Sequence, residues 1–247
     1  MENPKLKGSN IIDCIPQAGE CPVKCAECFY NGGRFYRSLA EPLLPTSEEA
    51  EGKIVRVNSG HDSNLERAQV LDATAGYTHC FFNTSIPRFD FPHPVVFTCN
   101  GSRLFLVPTP ANVMFVRVRT CSWNLDDVDR AVEHYRIKHG REIVLTFMRY
   151  YDRHSVLEPE DYEWRPSILN SYWCPRPEMI VRVLSRYKGT GVRMCGTPTS
   201  SLCTDCRNCE LLYWPCLRAQ TSGANARTEK SAGQAKEPNE QGSYSIR

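Results

Sequence analysis

Short apolar runs alternate with amphipathic segments along most of the chain, the pattern of repeated strand-helix units and a mainly parallel sheet. The runs predict strands at Asn10–Cys14, Lys53–Asn58, Thr78–Asn83, Val95–Cys99, Val113–Arg119, Glu142–Met148 and Val192–Cys195. Between them, Leu125, Val128, Val132 and Tyr135 make one apolar stripe, which predicts a helix over Leu125–His139. Asn124 is placed to cap it, Asp126 and Asp127 suit the positive end of its dipole, and Gly140 can stop it. A second helix is signalled by Pro177, then Met179, Ile180, Val183, Leu184 and Tyr187 on one side, with Gly189 after it. Leu65–Ala75 is a weaker helical segment. Prolines between Pro87 and Pro110 mark a long irregular connection around one short strand.

The 247 residues fit one α/β domain with an appendage. A polar run from Arg218 onward lacks the large apolar residues that would offset its ordering, so it reads as a disordered tail. A net charge of +2 makes no case for nucleic acid or an acidic membrane surface. No stretch approaches the roughly 18 apolar residues of a membrane span, and the N-terminus lacks the apolar core of a signal peptide, so the expected location is cytoplasmic. Thiols stay reduced there, so thirteen cysteines in two groups and a scatter point to metal rather than disulfides. Cys14, Cys80, Cys99, Cys121, Cys174 and Cys216 fall outside the groups and read mostly as core.

The first group, Cys21, Cys25 and Cys28, has C-x3-C-x2-C spacing closed by Phe29. Three thiolates on one short loop can hold three irons of a cubane cluster and leave the fourth open, whereas structural zinc wants four closed ligands. The spacing and its aromatic neighbour resemble the signature of the radical S-adenosylmethionine enzymes. The resemblance implies an incomplete (β/α)6 TIM-like barrel with the cysteine loop directly after the first strand, where it falls here. It also implies a [4Fe-4S] cluster on Cys21, Cys25 and Cys28, with S-adenosylmethionine chelating the open iron and Phe29 beside it. In that family an electron from the cluster cleaves the sulfonium to give a 5'-deoxyadenosyl radical, and an external one-electron reductant of flavodoxin or ferredoxin type is implied.

Active sites of parallel barrels gather at the carboxyl ends of the strands, which singles out two loops. After the second strand, Asn58, Ser59, Gly60, Asp62 and Asn64 supply short polar groups that can receive a charged amino group. The family's loop there, often Gly-Gly-Glu, binds the amino group of S-adenosylmethionine; this chain departs from it, with Ser59-Gly60 and Asp62 as the nearest acid. The same residues also suit a polar turn capping the helix near Leu65. In MFVRVRTCSWN, Arg119 or Ser122 could meet the cofactor's carboxylate or ribose if Arg117 and Arg119 point inward, as residues after the fourth barrel strand do in the family. Both arginines exposed on one face is the other reading. Arg149, Tyr150 and Tyr151 end another strand and either line a substrate pocket or form its rim.

The second group, Cys195, Cys203, Cys206 and Cys209, follows the last strand in a C-x7-C-x2-C-x2-C arrangement. Four ligands can fill a site completely, and tight C-x2-C-x2-C spacing favours a second, auxiliary [4Fe-4S] cluster over zinc. Cys216 or Cys174 are possible replacements for Cys195. The chain thus divides into a partial barrel over 1–194, a cysteine-rich extension over 195–217 and a tail over 218–247. The expectation is a radical S-adenosylmethionine oxidoreductase acting on a small-molecule, peptide or nucleoside substrate, with no membrane partner and no nucleic acid indicated. The alternative is a non-enzymatic zinc module for structure or partner recognition.

Overall fold

The computed structural model describes residues 3–25, 28, 39–100, 104–150, 160–166 and 171–233. Each predicted apolar run forms a strand: β1 (Ile11–Cys14), β2 (Ile54–Val57), β3 (Cys80–Thr84), β4 (Val95–Cys99), β5 (Val113–Thr120), β6 (Ile143–Phe147) and, far along the chain, β9 (Arg193–Met194). They make one seven-stranded parallel sheet in the order β1-β2-β3-β4-β5-β6-β9, curled into a half-barrel. The sheet therefore has one strand more than the expected six. The strand carrying Arg117 and Arg119 is its fifth, not its fourth. A separate antiparallel hairpin, β7 (Tyr162–Arg165) with β8 (Tyr172–Pro175), was not anticipated.

The helices are α1 (Ser47–Ala50), α2 (Arg67–Thr74), α3 (Leu125–Ala131), α4 (Pro177–Ser185), α5 (Cys203–Cys206) and α6 (Asn208–Gly233). Beyond Ala131, α3 loosens into a π-helical stretch, Val132–Lys138, which keeps Val132 and Tyr135 buried and ends at Gly140, φ +61°. Asn124 does not cap α3. Its side chain turns back onto the end of β5, accepting from the Cys121 amide (2.7 Å) and donating to the Arg119 carbonyl (2.9 Å). α6 runs past Arg218, where the tail was expected to begin; residues 234–247 lie outside the described residues.

Side chains alternate across each strand, and the two faces of the sheet meet different environments. The outer face, with Val55, Val57, Phe82, Phe97, Val116 and Leu145, packs against Val128, Tyr135, Met179 and Val183 of the helices. On the inner face, Ile11, Ile54, Phe81, Val96, Phe115 and Val144 form an apolar floor with Tyr213 and Cys216 of α6. The ring centroids of Phe81 and Tyr213 are 6.5 Å apart, and the Cys216 thiol donates to the Ala111 carbonyl ahead of β5. α6 thus plugs the amino-terminal end of the half-barrel. Two residues beyond each floor residue stands a polar one: Asp13, Arg56, Asn83, Thr98, Arg117 and Thr146. The inside is apolar at the bottom and polar towards the carboxyl ends of the strands.

Candidate metal and ligand site

The cysteine loop leaves β1 through a braced stem. Ile15 and Leu43 pair across its base, and Gly19 donates its amide to the Leu39 carbonyl (3.0 Å). His61 Nε2 contacts the Gly19 carbonyl at 2.7 Å, Gln17 Nε2 donates to the Leu65 carbonyl at 3.0 Å, and Gln69 Nε2 donates to the Pro16 carbonyl at 3.2 Å. These bonds tie the loop to the β2 loop and α2. The Lys24 amide donates to the Cys21 carbonyl at 3.4 Å and the Cys28 amide to the Cys25 carbonyl at 3.1 Å, with Lys24 in the left-handed region at φ +43°. All three are half-buried and line one cavity of about 250 Å³ at the carboxyl ends of the strands. Burial pushes the Cys21 thiol up to about 11, reinforced by Asp62, Cys28 and Cys25. A protonated thiol is a poor ligand, so a metal bound by Cys21 would displace its proton. Phe29 lies outside the described residues.

The β2 loop divides. Asn58, Ser59, Gly60 and Asp62 line the cavity. Asp62, 3% exposed, is also a bracket: Oδ1 accepts from Thr84 Oγ (2.7 Å) and the Asn64 amide (3.0 Å), and Oδ2 from the Ser85 amide (2.6 Å) and hydroxyl (2.8 Å). Asn64 does not line the cavity; its side-chain amide donates to Thr84 Oγ1 and to the carbonyls of Ile86 and Arg88. Neither residue caps α2, which starts after Glu66, itself at φ +46°, with no side-chain cap. The polar loop is used to join the ends of β2 and β3. Asn58 is left-handed at φ +59° and gives its Nδ2 to Ser63 Oγ at 3.2 Å.

Both arginines of β5 line the cavity, with Arg119 only 5% exposed, so this strand turns its charged face inward. Ser122 sits just beyond and does not line it. Arg149 joins the wall, while Tyr150 is buried beneath it with Cys121, Tyr162 and Trp123. Sequence reasoning missed Arg56, Asn83, Thr84, Ser85, Thr98 and Thr146, which also line the cavity. The signal was present: each inner apolar residue of β1 to β6 is followed two positions later by a polar one. Asn58 Oδ1, Ser59 Oγ, Asn83 Oδ1 and Thr146 Oγ1 are buried without a hydrogen-bond partner. Each such atom costs about 1–3 kcal/mol.

Cys195, Cys203, Cys206 and Cys209 line a second cavity of about 200 Å³, reached between β1 and β9, which shares Arg56, Arg117, Cys195 and Cys203 with the first. Cys195 is solvent-accessible. The Cys206 thiol donates to it and holds its thiol low, with Arg117, Lys5 and Arg56 adding to the effect. Burial pushes Cys209 up to about 11 against Arg117 and Arg56. Among the described residues no three His, Cys, Asp or Glu side chains converge as a bound metal ion would require. The donor set of each group fits a thiophilic metal in kind, and each group shares one cavity. Cys216, on the floor, and Cys174, on β8 beside the first cavity, stand apart from this second one.

Compared with known proteins, the chain matches no protein-family model, no curated protein and no solved structure.

Proposed function

We propose that the protein is a radical S-adenosylmethionine enzyme. The observation that carries the reading is the position of the cysteine trio: directly after β1, at the carboxyl end of a parallel half-barrel, opening onto a cavity walled by polar strand ends. Cys21, Cys25 and Cys28 would hold a [4Fe-4S] cluster, which would supply the electron for reductive cleavage of S-adenosylmethionine and so the means of hydrogen abstraction from the substrate. The chain's own residues bind and orient. Unpartnered acceptors, Asn58 Oδ1 and Asn83 Oδ1, lie at the ends of the adjacent strands β2 and β3, where an ammonium group would satisfy them. Arg119, at the end of β5, takes the carboxylate of the same amino acid moiety. The stem bonds from Gln17, His61 and Gln69 hold the trio in place, so the site is preorganised. The C-terminal cysteines hold the auxiliary [4Fe-4S] cluster, or zinc, and a flavodoxin- or ferredoxin-type protein delivers the electron.

The test is anaerobic reconstitution with iron and sulfide, reduction with dithionite in the presence of S-adenosylmethionine, and assay of 5'-deoxyadenosine. Product from the wild type and none from Cys25→Ala is expected. A colourless protein that takes up zinc alone and forms no product would establish the non-enzymatic zinc module instead.

A further inference from the structure

The charge of the chain is unevenly placed. Its formal net charge is only +2, yet among the described residues the main cavity is lined by seven cationic side chains, including Arg56, Arg117, Arg119 and Arg149, and by one carboxylate, Asp62. That carboxylate is consumed by its bonds to Thr84, Ser85 and Asn64. Two of the cations are neutralised nearby: Arg56 by Asp13 at 2.7 Å and Arg165 by Glu163 at 2.6 Å. Arg117 and Arg149 meet no carboxylate among the described residues. Arg117 lies 5.8 Å from the Phe115 ring centroid; Arg149 lies 5.3 Å from that of Tyr172 and gives Nη1 to its hydroxyl at 3.4 Å. Thr146 is on β6, next to the strand of Arg117 and three residues before Arg149, and its buried hydroxyl has no partner among the described residues.

Guanidinium groups taken partly out of water are costly unless paired, and paired with planar oxyanions they form bidentate bonds. The cofactor brings one carboxylate, which Arg119 suffices to hold. We infer that Arg117 and Arg149, with Thr146, form a second anion seat, and that the substrate is a small molecule carrying a phosphate or carboxylate group which this seat receives. As a statement about substrate this rests on the radical reading; as a statement about an anion seat it stands on the cavity alone.

The experiment is calorimetric titration of the anaerobically reconstituted full chain with two probes, pyrophosphate and succinate, alone and with saturating S-adenosylmethionine. Saturable binding of one probe is expected, with the cofactor present or absent, and the tighter probe tells phosphate from carboxylate. Arg149→Met and Arg117→Met should each weaken it by about tenfold or more, the loss of one charge-assisted contact, with iron content unchanged in Arg149→Met. Three results overturn the seat: no saturable binding of either probe, displacement by S-adenosylmethionine, or equal affinity in wild type and Arg149→Met. If both variants instead lose iron in proportion to affinity, the cations serve the cysteine thiolates and the seat is again overturned. 5'-Deoxyadenosine formation, measured on the same preparations, is a separate readout. Anion binding without it sinks the radical reading alone, and 5'-deoxyadenosine without anion binding sinks the seat alone.

Discussion

At the residue scale the most consequential pair is Asp13 with Arg56. Both are buried, at 5% and 8% exposure, and the guanidinium meets the carboxylate through Nε at 2.7 Å and Nη2 at 3.2 Å, with Asn3 Nδ2 also donating at 2.9 Å. Removing one member of a buried pair strands the other charge, at a cost of about 3–5 kcal/mol, whereas replacing both by apolar groups can be nearly neutral. Asp13→Ala should therefore lower the melting temperature by on the order of 10 °C, and Asp13→Ala with Arg56→Met should recover most of it. A double variant as unstable as the single one would show that the pair is not the cause. Thiol reactivity separates two other residues. In metal-free protein at pH 7, iodoacetamide should modify Cys195, held low by Cys206 and accessible, well before Cys21, held up by burial. Peptide mapping by mass spectrometry gives the order, and the reverse order would refute the assigned environments. Asp13 and Arg56 were not legible in the sequence as a pair, because they sit forty-three positions apart and only the register of β1 on β2 brings them together. Asp62 was legible as a site residue, but its three bonds to Thr84 and Ser85 at the end of β3 follow from the fold.

At the scale of elements, the apolar runs carried the sheet. Strands buried on both faces need near-continuous hydrophobic stretches, so all seven stood out, even Arg193–Met194 at the edge. The hairpin β7–β8 did not. Its strands are four residues each and largely half-exposed, with Trp164 45% exposed, and they read as loop. α6 was hidden for a different reason: its apolar residues are confined to its first turns, where Tyr213 and Cys216 are buried with Leu212 and Leu217 packed beside them, and from Arg218 onward its sequence is polar. Tyr213 is fully buried over the floor beside Phe81, and Tyr213→Ala should cost about 3–5 kcal/mol, seen as a large fall in melting temperature. Ending the chain after Ser222 keeps both floor residues and should change it by no more than about 2 °C. Equal losses in the two variants would mean that the distal part of α6 supports the floor as well.

At the scale of the whole molecule, a half-barrel has a problem that a closed barrel avoids: its edge strands β1 and β9 leave the interior open from the side. Here two segments far apart in the sequence, 8–10 and 204–210, meet across that gap. The segment after β9 reaches back to the segment before β1, where a Cβ on Gly8 would touch Thr204 at 3.6 Å, and Asn10 Nδ2 donates to Glu210 Oε1 at 3.2 Å. At the β9 side, Asn208 Nδ2 donates to the Met194 carbonyl at 2.5 Å. Few bonds hold this closure, and the four cysteines lie within it. A ligand that binds only the folded closure stabilises it in proportion to its affinity, so metal on Cys195, Cys203, Cys206 and Cys209 would lock the side of the half-barrel. Iron–sulfide or zinc loading should then slow amide hydrogen exchange in 195–209 and, in the same step, in 8–11, although that stretch contributes no cysteine. Cys209→Ser should abolish both effects while leaving exchange in the outer helices unchanged. Protection confined to 195–209 would mean that the cysteine segment folds around its metal by itself and closes nothing.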